Sequence, residues 1–265
     1  MPSYVPRLHP ALEPYVDSCV GFDYRLDPDA VHHGKPSPAV TVVFAFDEPL
    51  DCGMGGSETA LWWTLVGGLH LGPAVIRTHG FQRGIQLGLT PAGCRAILGL
   101  PAAPLAGTIA DAAALGAGLP ETLHTRLADL GWMERFAVLE RHLLARAGAG
   151  PSLGPAAEVG EAWRLIVASG GRARIADVAR HVGWSRRHLQ DRFVAEYGLA
   201  PKQVARIARF DRARGLAESG RPLAEVAAVA GFADQAHLSR EWRALADQTP
   251  TESLVDFPTT TAEPA

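Results

Sequence analysis

Two segments in the second half of the 265-residue chain repeat one pattern, and they constrain its fold more than any other feature. They are IADVARHVGWSRRHLQDRF at 175–193 and LAEVAAVAGFADQAHLSREW at 223–242. Each begins with a segment in which apolar residues recur at the spacing of a helix. This segment carries a small residue, Ala179 or Ala227, four residues before Gly183 or Gly231. A glycine can adopt the left-handed conformation that ends a helix. Each copy is therefore predicted to be a helix, a tight glycine turn and a second helix.

The residues after each glycine predict how the second helix begins. An aromatic residue follows directly, Trp184 or Phe232, and can fill the gap between the crossing helices. Ser185 comes directly after Trp184, and Asp234 comes two residues after Phe232. Both can accept a hydrogen bond from the first turn of the second helix. We therefore expect these two residues to cap the second helix of each copy.

The buried side of each second helix repeats as well. Leu189 and Phe193 in the first copy, and Leu238 and Trp242 in the second, are spaced i,i+4 and share a helix face. The copies are offset by 48 residues at the glycines and by 49 at these pairs. A helical solenoid would need about three or more repeats, so two helix-turn-helix units are the favoured interpretation.

The outward positions of the second helices carry groups that can read base edges. Arginine binds guanine O6 and N7, glutamine binds adenine N6 and N7, and serine binds either base or phosphate. The candidate contacts are Arg186, Arg187, Gln190 and Asp191 in the first copy, and Gln235, Ala236, Ser239 and Arg240 in the second.

One basic helix is predicted between the copies, from Pro201 to about Ser219, with Gly220 just beyond its end. About 18 residues at roughly 1.5 Å each span roughly 27 Å, and successive major grooves on one face of DNA lie about 34 Å apart. The helix is therefore long enough to present two recognition helices to one face of a duplex. Its basic residues are Lys202, Arg206, Arg209, Arg212 and Arg214, of which Arg212 is the candidate phosphate contact.

This arrangement closely resembles the AraC/XylS family of bacterial transcription regulators over residues 163–257. The most specific segments are VGWSRRHLQDRF, YGLAPKQVARIARFDRA and GFADQAHLSREW, together with TPTE at 249–252. The resemblance implies that the helices beginning near Ser185 and Asp234 enter the major groove. It also implies double-stranded DNA as a partner, with RNA polymerase added if the protein is an activator.

Two residues depart from the family pattern. Asp191 stands where a basic residue is frequent, and a carboxylate there either reads a cytosine amino group or repels phosphate. Asp247 stands where glycine usually precedes the TP pair, which leaves the end of the last recognition helix undetermined.

Charge divides the chain in the same way. Residues 161–250 hold 15 Lys/Arg and 10 Asp/Glu, a net of +5, whereas the rest holds 10 and 18, a net of −8. A basic half fits a nucleic-acid module. Three scattered cysteines, no long apolar run and no signal-like start predict a cytoplasmic protein with reduced thiols.

The N-terminal half predicts a sheet followed by helices. Short runs rich in β-branched and aromatic residues predict strands at 39–46, 61–66, 74–78 and 85–89. A helix is expected from Pro91 and another around Trp132–Leu143, before a Gly- and Pro-rich linker. We therefore expect an α+β chain: a sensory or dimerisation domain at 1–147, a linker at 148–160, a double helix-turn-helix domain at 161–258 and a disordered tail at 259–265.

Residues 81–101 are similar to the sensory domains attached to such modules. The likeness implies a cupin-like β-barrel that binds a small effector or dimerises, with no cofactor and no catalytic role. Phe44, Phe46, Trp62, Trp63 and His70 either line an effector pocket or form the barrel core. The stripe Trp132, Phe136, Leu139 and Leu143 either pairs two chains or packs on its own domain.

Two alternatives give the N-terminal half a chemical role. The first is a cupin-type metal enzyme with His32, His33, His70 and His79 as candidate ligands. The adjacent pair would point to opposite faces of a strand, and no second ligand motif follows. The second is a cysteine-based DNA-damage sensor at Cys94, which would require an activated thiolate. A small buried hydrophobic residue is the simpler interpretation of Cys94.

Overall fold

The N-terminal half is built from two largely antiparallel sheets with helices on one side. The computed structural model describes residues 3–56, 58–116, 118–149, 156–256 and 262–264. Its strands are β1 (Ser3–Val5), β2 (Val16–Arg25), β3 (Val31–Gly34), β4 (Val40–Phe46), β5 (Leu50–Met54), β6 (Ala60–Trp62), β7 (Thr64–Gly67), β8 (Ala74–Arg77), β9 (Phe81–Leu89), β10 (Ile109–Asp111) and β11 (Ala262–Pro264).

The expected α+β fold is confirmed, but the sheets do not close into a barrel. The larger sheet has the order β10-β7-β4-β9-β2-β1-β11 and the smaller has β3-β8-β5-β6. Each sheet keeps two free edges, because the edge strands of one are not paired with those of the other among the described residues. "Cupin-like barrel" is corrected to an open pair of sheets.

The strands of the larger sheet separate two cores. On β4, Phe44 and Phe46 belong to the core shared with the helices. Val43 and Ala45 alternate with them and pack toward the smaller sheet, with Tyr24 and half-buried Trp62. Period-two alternation of side chains produces this division. Of the two interpretations offered for Phe44 and Phe46, the structure supports the core, because both residues lie in the core on the helix side of the larger sheet.

Helices make up most of the remaining secondary structure in the described part of the chain. They are α1 (Pro91–Gly93), which continues as a π-helical turn over Cys94–Leu98, α2 (Glu121–Ala128), α3 (Trp132–Gly148), α4 (Ala157–Ala168), α5 (Ile175–His181), α6 (Arg186–Tyr197), α7 (Pro201–Glu218), α8 (Leu223–Ala230), α9 (Gln235–Ala246) and α10 (Pro250–Asp256). Short 3₁₀ turns lie at Pro10–Leu12, Ala103–Leu105 and Ala113–Leu115. Helices expected at Pro91 and around Trp132 are both present.

The apolar stripe of α3 is core. Leu139 and Leu143 are fully buried and Phe136 nearly so, while half-buried Trp132 stacks on Tyr4. Trp132 and Phe136 also pack against Gly21, where an added Cβ would lie within 3.0 Å of both rings. Of the two interpretations of this stripe, the structure supports packing on its own domain, because Phe136, Leu139 and Leu143 are buried in the core beneath the larger sheet.

The predicted linker and tail are partly outside the described residues. The linker was expected at 148–160, yet α3 runs to Gly148 and α4 begins at Ala157. Residues 150–155 lie outside the described part of the chain, as do 257–261 and 265. Within the expected tail, β11 pairs in parallel with β1.

Candidate nucleic-acid interface

The first helix-turn-helix unit consists of α5 and α6. Gly183 has φ +74°, and the amide of Trp184 donates back to the carbonyl of Ala179 at 2.9 Å. This bond closes the turn across a left-handed residue. The side chain of Ser185 then accepts a hydrogen bond from the amide of His188 at 3.1 Å, so that α6 begins with the expected cap.

The second unit, α8 and α9, repeats this geometry. Gly231 has φ +85°, and the amide of Phe232 donates to the carbonyl of Ala227 at 2.9 Å. The carboxylate of Asp234 accepts from the amide of His237 at 2.6 Å. The same turn chemistry has thus produced the same local structure twice.

The buried pairs hold each recognition helix in place. Leu189, Phe193, Leu238 and Trp242 have no exposed surface. Phe193 stacks on Trp163 of α4 with ring centroids 5.9 Å apart, and Trp242 packs edge-on against Phe210 of α7 at 5.0 Å. The opposite faces of α6 and α9 are consequently left to solvent.

The predicted base-reading residues lie on those outer faces. Seven of the eight are exposed, namely Arg186, Arg187, Gln190, Asp191, Gln235, Ala236 and Arg240. Ser239 is half-buried, and its hydroxyl donates to the carbonyl of Gln235 at 2.9 Å. Ser185 and Asp234 use their side-chain oxygens as caps. The side chains of Ser185, Asp234 and Ser239 therefore stabilise their own helices, while the seven exposed outer residues are available to a ligand.

The connecting helix α7 is less available for DNA than its basic composition indicated. Arg206 donates to Glu241 of α9 at 2.5 Å, and Arg209 donates to the carbonyl of Gly171 at 3.0 Å. Arg214 pairs with Asp211 at 2.6 Å and with Glu218 at 3.3 Å. Arg206 and Arg209 therefore join α7 to α9 and to the turn after α4, whereas Arg214 pairs within α7 itself.

Arg212, the candidate phosphate contact, lies in a different setting from the recognition helices' outer residues. It is half-buried, and its side chain fills the space beside Gly170. Pro38 of the N-terminal half and Val167 of α4 line the same groove. Lys202, at the start of α7, is exposed.

The end of α9 explains why an aspartate can replace the family's glycine. Asp247 adopts φ +55°, a left-handed conformation that aspartate tolerates better than most residues. Thr249 and Glu252 then cap α10 reciprocally: Thr249 N and Oγ1 donate to Glu252 at 2.7 and 2.8 Å, and the Glu252 amide donates to Thr249 Oγ1 at 3.3 Å. These bonds lower the pKa of Glu252. The TPTE sequence is thus a capping box.

Two histidines occupy the same place in the two units and escaped the sequence analysis. His188 and His237 are each the third residue of their recognition helix. Their rings pack edge-on against the turn aromatics, at 4.7 Å from Trp184 and 5.4 Å from Phe232. When the two repeats are aligned on their capping residues, Ser185 and Asp234, the two histidines fall at the same position. The sequence alone could therefore have identified them.

The two chemistries considered for the N-terminal half depend on its cysteines and its possible metal ligands. Cys19, Cys52 and Cys94 are all buried, and burial is the main cause that raises the pKa of each thiol to about 12. A thiolate sensor requires the opposite shift. Within the described residues, no group of three or more His, Cys, Asp or Glu side chains is arranged to hold a metal ion.

Comparison with known proteins supports the assignment of the C-terminal half. A family model described as a helix-turn-helix domain matches residues 178–254. A search of curated proteins found no match. No helix of the described chain is long and apolar enough to cross a membrane.

Solved structures of ToxT from Vibrio cholerae share the whole fold. A 1.65 Å structure aligns with TM-score 0.60 and 10% identity, over 91% of this chain and 99% of that one. ToxT with a bound unsaturated fatty acid aligns at 0.59 and 11%, over 93% and 98%. ToxT bound to (E)-4-(8-methylnaphthalen-1-yl)but-3-enoic acid aligns at 0.58 and 11%, over 91% and 99%.

A β-rich domain followed by two linked helix-turn-helix units defines a DNA-binding transcription regulator. The matched model confirms a helix-turn-helix domain at residues 178–254, which supports the resemblance inferred from the sequence. The metal-enzyme and damage-sensor alternatives are not favoured.

Proposed function

We propose that this regulator reads two successive major grooves, with α6 in one and α9 in the next. One observation carries the proposal: both helices are capped, anchored by buried pairs and exposed along the residues that match in the two repeats. The N-terminal residues of a recognition helix contact base edges in helix-turn-helix complexes. An 18-residue α7 separates the two units.

The proposed readers are the exposed outer residues. Arg187 and Arg240 would bind guanine bidentately, and Gln190 and Gln235 would bind adenine. Arg186 would bind phosphate or a base at the start of α6, and Ala236 would contact a thymine methyl group. Asp191 would accept from a cytosine amino group. Ser185, Asp234 and Ser239 would support the reading helices through the bonds they already make.

We further propose that the N-terminal domain binds a small effector. ToxT, which shares the fold, has been solved with a fatty acid and with a substituted butenoic acid. In this chain Gln86 pairs in register with Val43, so that its side chain lies on the face toward the smaller sheet. Gln86 is exposed, which supports an opening to solvent between the sheets. An amphipathic acid is the class of effector to test first.

The remaining parts of the proposal concern setting and partners. A non-enzymatic role, a cytoplasmic location and contact with RNA polymerase as an activator follow the family resemblance. A homodimer remains part of the proposal, but it must form through a surface other than the α3 stripe, since that stripe is buried.

The test is binding of the full chain to duplex DNA at several salt concentrations. Phosphate contacts release counterions, so affinity should fall steeply as salt rises. Arg187→Ala and Arg240→Ala should each weaken binding to the preferred site by about 1–3 kcal/mol. Arg141→Ala, an exposed arginine on α3, is the control and should bind like wild type. Salt-independent binding, or equal losses in all three variants, would overturn the proposal.

A further inference from the structure

We propose that His237 is an additional DNA contact, whose Nε2–H donates a hydrogen bond to a phosphate oxygen beside the groove that α9 enters. The inference rests on the proposed function of α9. It assigns a role to a residue outside the outer face predicted from the sequence.

The position of His237 recurs in the other unit. His188 occupies the third position of α6, as His237 does in α9. In both cases the amide of the histidine donates to the capping side chain, Ser185 or Asp234. The imidazole therefore leaves the helix in its first turn, next to the exposed readers and close to where a recognition helix approaches the duplex.

The ring of His237 is held on two sides. It stands edge-on to Phe232 at an interplanar angle of 82°, with centroids 5.4 Å apart. Its Nδ1 lies 3.3 Å from the amide nitrogen of Ala233, which donates to it. A side chain oriented in this way loses less conformational entropy on binding than a free one.

The hydrogen bond to Nδ1 also determines where the proton lies. Nδ1 accepts, so in the neutral ring the hydrogen must be on Nε2. Nε2–H then points away from the Ala233 amide and is a donor. DNA offers phosphate oxygens as acceptors, and most protein–DNA hydrogen bonds go to phosphate and sugar. A neutral donor in this place positions α9 without adding charge.

Two amide substitutions separate this contact from a structural role. In His237→Asn the side-chain oxygen can replace Nδ1 as acceptor for Ala233, but nothing reaches the Nε2 position. In His237→Gln the longer side chain can place an amide N–H near Nε2. We expect Asn to weaken binding of the full chain to duplex DNA by about 3- to 10-fold, the range of one neutral hydrogen bond, and Gln to retain most of the affinity.

Two further expectations follow if His237 contacts a phosphate. His237→Asn should lose affinity equally for preferred and unrelated DNA. Its salt dependence should match that of wild type, because a neutral donor displaces no counterion. His181→Asn is the control, since that histidine is exposed at the end of α5 and pairs with Glu161 at 3.4 Å.

The outcomes separate this inference from the proposed function. Failure of the wild-type chain to bind DNA with sequence preference would remove the proposed function itself. If wild type binds but Asn behaves like wild type while Gln is weakened, His237 only supports its turn and the inference is overturned. Loss confined to the preferred site would assign the donor to a base, and a reduced salt dependence would assign a cationic ring; either contradicts the neutral phosphate contact.

Discussion

Arg95 and Glu196 form a two-point ion pair between the N-terminal half and the first recognition helix. Arg95 Nε lies 2.7 Å from Oε1 of Glu196, and Nη2 lies 2.6 Å from Oε2. Arg95 sits in the π-helical turn that follows β9, and the Glu196 hydrogen bond raises its pKa. Glu196 is buried near the end of α6. The helix proposed to read DNA is thus anchored to the domain proposed to sense an effector.

Removing Arg95 should destabilise the whole chain. Arg95→Ala would leave the Glu196 carboxylate buried without its partner, which costs about 2–4 kcal/mol; the lower part of this range reflects the 23% exposure of the arginine side chain. Glu196→Gln, which keeps the size and removes the charge, should cost less. Urea denaturation measures both. A loss below about 0.5 kcal/mol for Arg95→Ala would show that the ion pair does not hold the two halves together.

A second contact between the halves can be tested at Gly198, which ends α6 with φ +73°. A Cβ at Gly198 would collide with Ala106 and approach the carbonyl of Ala103 to 2.9 Å. Gly183 is a matched control, because it has φ +74° and open space around its Cβ direction. Both alanine variants should incur about 1 kcal/mol of backbone strain, and Gly198→Ala should lose about 1–3 kcal/mol more from overpacking. Equal losses would mean that α6 does not press on the N-terminal half.

The three cysteines should resist alkylation in the folded protein. Their pKa values of about 12 leave almost no thiolate at pH 8, and burial blocks the reagent as well. The thiol of Cys94 is further affected by Glu196, which raises its pKa. Iodoacetamide labelling followed by mass spectrometry should find no modification in buffer and three modified cysteines in urea. Rapid labelling of native Cys94 would revive the sensor alternative.

A charge introduced into the apolar stripe of α3 should destabilise the protein, as a charge in the core does. Leu139→Glu places a carboxylate where Leu139 is 0% exposed and should prevent folding or lower the melting temperature sharply. Met133→Glu lies on the same helix at 69% exposure and should have little effect. Thermal unfolding and sedimentation of both variants decide the matter. A folded Leu139→Glu protein of lower molecular mass than wild type would restore the dimer interpretation.

The parts of the fold that local chemistry dictates were predictable. Glycine turns, caps and i,i+4 apolar pairs act over a few residues, so the repeats at Gly183 and Gly231 predicted both helix-turn-helix units. By contrast, β2 was missed because its sequence, VDSCVGFDYR, carries Asp, Ser and Gly among its apolar residues. That segment is a strand because it pairs with β9 along nearly its whole length. Pairing of this kind depends on distant residues.

The candidate site follows the same rule. Exposure of Arg187 and Arg240 followed from the burial of Leu189 and Leu238, each two residues away. The hydrogen bond from Arg206 to Glu241 joins positions 35 apart in the sequence. Local sequence therefore gave no indication that Arg206 is paired. The sequence also did not predict that the two sheets stay open instead of closing into a barrel, because strand order is decided by long-range contacts.

The central claim is that two recognition helices read two different half-sites, and selection of binding sites from random duplex DNA tests it most directly. Full-length wild type and Arg240→Ala would be compared. We expect wild type to enrich one asymmetric site with two conserved parts about one helical turn apart. Arg240→Ala should relax preference at a few base pairs in one part and leave the other unchanged. No enrichment by wild type, or an identical site for both proteins, would contradict the account.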